Sequence, residues 1–184
     1  MKEYPVINTL RFTLCGFTLD DAKEVQHLAG DKDVASTTLR IPHPYLDGMA
    51  EEWISKHQAE FHAERSVTFA IRKKNSESQL IGAIGLELHP EHEKAELGYW
   101  IGKPYWGQGY ATEAAEAVLR YGFESLHLNR IEAYHFTRNL ASGRVLQKIG
   151  MVHEGHLRQG IKKWGVFEDG ELYAILKSDF KTYS

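Results

Sequence analysis

The chain has 184 residues and a formal net charge of -3, and this length suits one domain over residues 1–184 with a sizeable core. A weak negative charge without a dense basic run argues against nucleic-acid binding, and no apolar run is long enough to cross a membrane. The single cysteine, Cys15, excludes an internal disulfide, and residues 1–5 do not resemble a signal peptide, so we expect a cytoplasmic protein.

Hydrophobic periodicity and turn residues predict an alternation of strands and helices along the chain. The predicted elements are a strand over 10–17, a helix over 18–29, a helix from Asp47 or Gly48 through Glu64, strands over 67–72 and 80–89 around a polar turn at 73–79, a strand over 93–101, a helix over 113–121, a strand over 130–136, a helix over 139–149, and a hairpin of strands over 153–164 and 172–176 that turns near 168–170. Two prolines exclude a helix over 41–45. This is the order of a mixed α/β domain.

The most informative segment links a predicted strand to a predicted helix through two glycines, Gly107 and Gly109. The first N–H groups of a helix lack partners and carry partial positive charge, and glycines let the backbone approach an anion closely. The segment therefore predicts a phosphate or pyrophosphate site, although a strand-to-helix turn without a ligand has the same features. Thr112 stands where the dinucleotide-binding fingerprint requires glycine, and the Gly-Lys-Ser/Thr of nucleotide hydrolases is absent.

A second segment combines the predicted strand over 130–136 with a capped amphipathic helix. Asn139 is suited to cap the N-terminus of this helix, and Gly150 is suited to end it. Capping alone is a sufficient reason for Asn139, so the segment does not indicate a ligand by itself.

In their order and separation, the two segments resemble the GCN5-related N-acetyltransferases (GNAT). The acetyl-CoA loop of that family follows the pattern Gln/Arg-x-x-Gly-x-Gly/Ala, which this chain matches at Gly109 and Ala111. Trp106 replaces the first residue of the pattern, a departure common in the branch that includes the RimJ/RimL ribosomal-protein acetyltransferases. The family's Asn-x-x-Ser…Lys-x-Gly-Phe/Met element is matched at Asn139, Ser142, Lys148, Gly150 and Met151. The resemblance covers nearly the whole chain and is weakest in its first third.

The resemblance implies the GNAT fold, a mixed α/β class with a central, mainly antiparallel twisted sheet flanked by helices. It also implies an N-acetyltransferase that moves the acetyl group of acetyl-CoA directly to a primary amine. The residues expected to cradle the pyrophosphate are Gly107, Gln108, Gly109, Tyr110, Ala111 and Thr112. Asn139 and the backbone groups of Trp100 and Ile101 are expected to contact the pantetheine arm. Lys148, together with Arg144, is expected to contact the adenosine 3′-phosphate; the alternative is that both are solvated helix charges.

Three residues are candidates for acid–base chemistry, two of them for the same role. An amine must lose a proton in order to attack, and the thiolate leaving group benefits from a proton donor. In some GNAT members a glutamate on the strand before the loop is the general base, which implies Glu96, with Glu87 as the second candidate. Glu96 also suits the role of a polar strand residue or an ion-pair partner. Ser142 resembles a serine proposed as proton donor to the thiolate in the RimL-like branch. The histidines lack metal-ligand spacing, so no metal is expected.

The acceptor is less well defined by the sequence than the cofactor. Residues 41–45 and Trp53 match the loop and helix that cover the acceptor cleft in the branch, although Trp53 also suits a core position. The opposite wall is expected from the C-terminal hairpin, with Lys162, Lys163, Trp164 and Asp169. An N-terminal α-amine of a ribosomal or other protein is the first hypothesis, and a polyamine or amino-sugar antibiotic is the second. The third hypothesis is a non-catalytic acyl-CoA-binding module. For the oligomeric state, we expect a monomer or a homodimer.

Overall fold

The structure is a computed structural model that describes residues 3–74 and 79–180. Its helices are α1 (Ala22–Ala29), α2 (Lys32–Ser36), α3 (Met49–His62), α4 (Tyr110–Glu124) and α5 (Leu140–Lys148), with short 3-10 turns at Leu19–Asp21, Pro90–His92 and Lys103–Tyr105. Its strands are β1 (Ile7–Asn8), β2 (Phe12–Cys15), β3 (Ser66–Lys73), β4 (Leu80–His89), β5 (Lys94–Ile101), β6 (Arg130–Phe136), β7 (Val152–Lys163) and β8 (Val166–Leu176). Of the predicted turn at 73–79, residues 75–78 lie outside the described residues.

Within this part of the chain the strands form one sheet, in the order β1-β2-β3-β4-β5-β6-β8-β7. Neighbouring strands are antiparallel except for the parallel pair of β5 and β6. That pairing runs only from Lys94↔Arg130 to Glu96↔Glu132, so the two strands separate beyond these residues. The mixed α/β class and the mainly antiparallel sheet predicted from the sequence are confirmed.

Helices cover both faces of the sheet. The side chains of β5 point alternately into two hydrophobic clusters, one on each face. Leu97 and Ile101 belong to a cluster that includes Val118 of α4. Trp100 belongs to a second cluster, with residues of α1 and α3 such as Ile54. Side chains on odd-numbered positions of β5 therefore face α4, and those on even-numbered positions face α1 and α3.

The boundaries of several helices agree with local sequence signals. Gly48, with φ 84°, precedes α3, and Gly150, also with φ 84°, follows the end of α5. α4 begins directly after Gly109 and runs to Glu124, so the helix is longer at both ends than the predicted 113–121. Residues 41–45 are not helical, as the prolines require.

The predicted turn of the C-terminal hairpin is wrong by several residues. The chain turns at Trp164 and Gly165, whose φ angles are 49° and 84°, between the paired residues Lys163 and Val166. Two central residues with positive φ are typical of a two-residue hairpin loop. Gly170, which suggested a turn near 168–170, instead lies inside β8 opposite Phe136.

Two short elements were not predicted. α2 begins after Asp31, whose side chain accepts a hydrogen bond from the Asp33 N–H at 2.8 Å, and β1 contributes only two residues to the sheet. Both are too short for a periodic pattern to develop. No helix in the described ranges is long and apolar enough to span a membrane.

Candidate active site

The separation of β5 and β6 opens a continuous cavity of about 1420 Å³ through the sheet. Two strand segments line the cavity from either side, residues 97–101 of β5 and residues 133–136 of β6. On one face of the sheet the cavity is bounded by the start of α4 and by α5, and on the other face by α3 and residues 37–42. A ligand that enters from one face can therefore meet a ligand that enters from the other.

The glycine segment has the geometry of an anion site. Gly107 and Gly109 have φ angles of 74° and 73°, and Gly109 is the N-cap residue of α4, without a side-chain cap. The N–H groups of the first turn of α4 are thus left for a ligand. Of the predicted cradle, five residues line the cavity and Gln108 does not; the five are Gly107, Gly109, Tyr110, Ala111 and Thr112.

α5 places its polar N-terminus at the same cavity. The Asn139 side chain accepts a hydrogen bond from the Ser142 N–H at 3.2 Å, so Asn139 caps the helix as predicted. Asn139, Ser142, Arg144 and Lys148 all line the cavity. Lys148 is exposed at the C-terminal end of α5, roughly 9 Å along the helix from Ser142 at about 1.5 Å per residue.

The Ser142 hydroxyl has a partner that the sequence did not reveal. Its Oγ lies 2.7 Å from the phenol oxygen of Tyr99, across the gap between α5 and β5. Burial raises the pKa of Tyr99 to about 12, so the phenol stays protonated at neutral pH. The alternation of β5 would have placed Tyr99 on the face that α4 covers, but its pairing with a residue 43 positions away has no local signal.

The backbone at the open edge of β5 differs from the prediction for one residue. The Gly102 N–H donates to the Ile81 carbonyl on β4, and the Glu93 carbonyl accepts from Asn129 on the β6 side. Since these directions alternate along a strand, the backbone groups of Trp100 point to β4 and are not free for pantetheine. Those of Ile101 point to the gap, where its carbonyl accepts from the Trp106 indole at 2.7 Å. By the same alternation, Tyr99 replaces Trp100 as the second edge residue.

Glu96 lies at the point where β5 and β6 separate, and its side chain lines the cavity. It is in register with Glu87 on β4 and with Glu132 on β6. Both neighbours are engaged: Glu87 pairs with Arg40 at 2.5 Å, and Glu132 pairs with Lys94 at 2.9 Å. The Glu96 carboxylate forms no hydrogen bond or ion pair with the described residues.

The surroundings of Glu96 favour its protonated form. Burial raises the pKa of Glu96 above its ordinary value, and the nearby charges of Glu87 and Glu132 act in the same direction, against an opposing effect of Arg40. A half-buried carboxylate with a raised pKa, facing a cavity, has the properties of a general base.

The loop at residues 37–42 is held in place by a long-range contact. The buried ammonium group of Lys163 donates to the carbonyls of Leu39 and Ile41, at 3.2 and 2.6 Å. The hairpin therefore holds the loop that lines the cavity, and it lines the cavity itself through Leu157, Gly160 and Ile161. The wall residues expected from the sequence are not among the lining residues; these are Lys162, Lys163, Trp164 and Asp169. Trp53 fills both of the roles considered for it, because it lines the cavity and packs edge-on against Phe17, with ring centroids 5.0 Å apart.

The histidines of the hairpin serve as partners of a carboxylate. His153 and His156 each contact Glu171, at 2.7 and 2.8 Å. Across residues 3–74 and 79–180, no group of three or more His, Cys, Asp or Glu side chains is placed to hold a metal ion.

These features are those of a class of enzyme. A helix N-terminus suited to an anion lies on one face of a divided sheet, and a free carboxylate faces the other. This arrangement suits a transferase that receives a phosphate-bearing carrier on one face and, on the other, a nucleophile that a carboxylate can deprotonate.

Comparison with known proteins gives the family. The model of the acetyltransferase (GNAT) domain matches residues 11–152. The uncharacterized N-acetyltransferase YoaA of Bacillus subtilis (strain 168) is 33% identical over 175 residues, which cover 95% of this chain and 98% of that protein. The chain therefore belongs to the GNAT family, and it is an acetyl-CoA-dependent N-acetyltransferase.

Two further similarities concern one sequence relative and one solved structure that shares the fold. The [ribosomal protein uS5]-alanine N-acetyltransferase of Escherichia coli (strain K12) is 28% identical over 123 residues, which are 66% of this chain and 63% of that protein. Mycobacterium smegmatis RimJ, solved in complex with CoA-disulfide, superposes with a TM-score of 0.86 at 23% identity, over 97% of this chain and 90% of that one.

Proposed function

We propose that this enzyme acetylates N-terminal α-amines of proteins or peptides, with Glu96 as general base and Ser142 as donor to the leaving thiolate. One observation carries the proposal. The carboxylate that faces the cavity without a partner in the described chain lies where β5 and β6 separate, so it can reach an amine that approaches the thioester through the gap.

The reaction follows from the placement of these groups on opposite faces of the sheet. Glu96, directly or through a water, takes a proton from the acceptor ammonium, and the neutral nitrogen attacks the acetyl carbonyl carbon. The carbon–sulfur bond then breaks, and Ser142 donates a hydrogen bond to the departing thiolate. The products are the acetylated amine and CoA.

The cofactor is assigned to the α4 and α5 face. The free N–H groups at the start of α4 hold the pyrophosphate, and Asn139 and the edge groups of Ile101 contact the pantetheine arm. Lys148 and Arg144, exposed along the same side of α5, supply positive charge for the 3′-phosphate.

The choice of an α-amine rests on acid–base chemistry and on the E. coli relative, which is named for the N-terminal alanine of a ribosomal protein. With reference pKa values near 7.7–8.0 and 10.4, roughly a quarter to two-fifths of an α-amine is neutral at pH 7.5, against about one in a thousand for lysine. An enzyme with one carboxylate base suits the more easily deprotonated amine. A ribosomal-protein acceptor would also place the reaction in the cytoplasm.

The test is a panel of acceptors at pH 7.5, with release of free CoA as the readout. We expect a peptide with a free N-terminus to show a higher kcat/KM than the same peptide with a blocked N-terminus and one lysine. Spermidine and an amino-sugar antibiotic complete the panel. A higher kcat/KM for any of these three would contradict the α-amine assignment, while leaving the N-acetyltransferase activity in place.

A further inference from the structure

Arg11, which directly precedes β2, contacts the glycine segment from outside the cavity. Its Nη1 donates to the Gln108 carbonyl at 2.9 Å, and its Nη2 lies 3.4 Å from the Gly109 carbonyl. Its Nε and its backbone N–H both donate to the carboxylate of Glu113, at 2.5 and 2.8 Å. The guanidinium carbon also lies 4.7 Å from the ring centroid of Tyr110. One side chain therefore contacts four consecutive or near-consecutive positions of the loop and the first turn of α4.

The direction of these contacts determines where the loop N–H groups point. In a planar trans peptide, the carbonyl and the N–H point to opposite sides. When Arg11 holds the carbonyls of Gln108 and Gly109 on its own side, the N–H groups of Gly109 and Tyr110 are turned away from it. Gly109 and Tyr110 line the cavity and Arg11 does not, so these N–H groups are turned toward the cavity.

The carboxylate of Glu113 anchors the guanidinium of Arg11. Burial raises the pKa of Glu113, but the hydrogen bonds from Arg11 and Thr9 and the charge of Arg11 outweigh this and hold the pKa below its ordinary value. The ion pair is therefore present at neutral pH. A planar guanidinium can serve a carboxylate and two carbonyls at once, whereas a lysine ammonium lacks this fork geometry.

We propose that Arg11 is a positioning residue for the cofactor: from behind the loop, it orients the backbone N–H groups that bind the pyrophosphate of acetyl-CoA. The inference rests on the proposed placement of the pyrophosphate at this loop. It assigns a role in cofactor recognition to the N-terminal segment, 97 residues away from the loop in sequence.

The experiment compares two acetyl donors. Acetyl-CoA carries the pyrophosphate, whereas acetyl-pantetheine has the same thioester and arm without it. We would measure kcat/KM for both donors, with the best acceptor of the panel, in Arg11→Met and Arg11→Lys. Arg120→Met is the matched control, because Arg120 pairs with Glu124 on the outer part of α4 and does not line the cavity. The melting temperature of each ligand-free variant checks that it folds; if Arg11→Met does not, Arg11→Lys carries the test.

We expect both Arg11 variants to lose about tenfold or more in kcat/KM with acetyl-CoA, but less than about twofold with acetyl-pantetheine. Arg120→Met should keep its kcat/KM with both donors. An equal loss with both donors, or no loss with acetyl-CoA, overturns the proposal. Gly109→Val tests the placement of the pyrophosphate separately from the role of Arg11. If Gly109→Val also shows no selective loss of kcat/KM with acetyl-CoA, the placement of the pyrophosphate is wrong. If Gly109→Val shows that selective loss while Arg11→Met does not, only the role of Arg11 is wrong.

Discussion

The hydroxyl pair of Ser142 and Tyr99 illustrates how much a single residue's role depends on its neighbour. A serine hydroxyl is a weak acid, so the role that we propose for Ser142 is that of a hydrogen-bond donor to sulfur rather than full proton transfer. Because the Tyr99 phenol remains protonated, it can donate its hydrogen to Ser142 Oγ, which leaves the serine hydrogen for the thiolate.

This arrangement predicts a graded loss of activity. Ser142→Ala should lower kcat by roughly tenfold, since water replaces part of the lost hydrogen bond. Tyr99→Phe should lower kcat by less, because Ser142 keeps its hydroxyl but loses its orientation. In the double variant, Tyr99→Phe should add little to Ser142→Ala. Single-turnover rates at saturating substrates measure this; a larger loss for Tyr99→Phe than for Ser142→Ala would instead make the phenol the direct donor.

At the scale of elements, the loop and the start of α4 form the pyrophosphate site that we propose. An added Cβ at Gly109 meets only Arg11 Nη2, at 3.7 Å, which is ordinary contact. Steric blocking within the protein is therefore not the main reason for glycine at this position. The reason is its φ of 73°, which a β-branched side chain strongly disfavours.

The corresponding prediction concerns CoA-dependent stability. CoA at about a hundred times its Kd should add roughly 2.7 kcal/mol of stability, which is on the order of 5–10 °C in Tm for a domain of this size. Gly109→Val should abolish this increase. Gly165→Val is the matched control, because Gly165 has a φ of 84° in the remote hairpin turn, where an added Cβ meets nothing within 4 Å. A CoA-induced increase in Tm that survives in Gly109→Val would exclude the loop from binding.

The sequence predicted these elements because their signals are local. The two glycines, the Asn139 cap and the prolines of 41–45 act within one turn of the chain, and each has its expected effect. The hairpin turn was misplaced because Glu168-Asp169-Gly170 has turn-like composition, whereas only the positive φ of Trp164 and Gly165 identifies the true turn. Composition suggests turns, but pairing with β6 decides that Gly170 lies in a strand.

At the scale of the whole molecule, the divided sheet creates the site. The separation of β5 from β6 depends on long-range pairing, and no local pattern predicts it. The same holds for the Arg11 contacts, the Tyr99–Ser142 pair and the pairing of Glu87 with Arg40. The residue types of the site were therefore predictable, but not which carboxylate is free, nor which residues orient the others.

The central claim is that Glu96 removes the proton from an amine that enters through this gap. Glu96→Gln keeps the shape of the side chain and removes the base, so kcat should fall by roughly 10²–10⁴ while the Kd of CoA stays nearly unchanged. In the wild type, kcat/KM should fall as the pH drops through the raised pKa of Glu96, because protonation removes the base. The variant should lack this dependence.

The deciding measurement is kcat of Glu96→Gln at saturating amine and acetyl-CoA near neutral pH, beside Glu87→Gln, whose parent carboxylate is already paired with Arg40. We expect kcat to fall by roughly 10²–10⁴ in Glu96→Gln and by much less in Glu87→Gln. A loss below about threefold for Glu96→Gln, or a larger loss for Glu87→Gln, would contradict this claim.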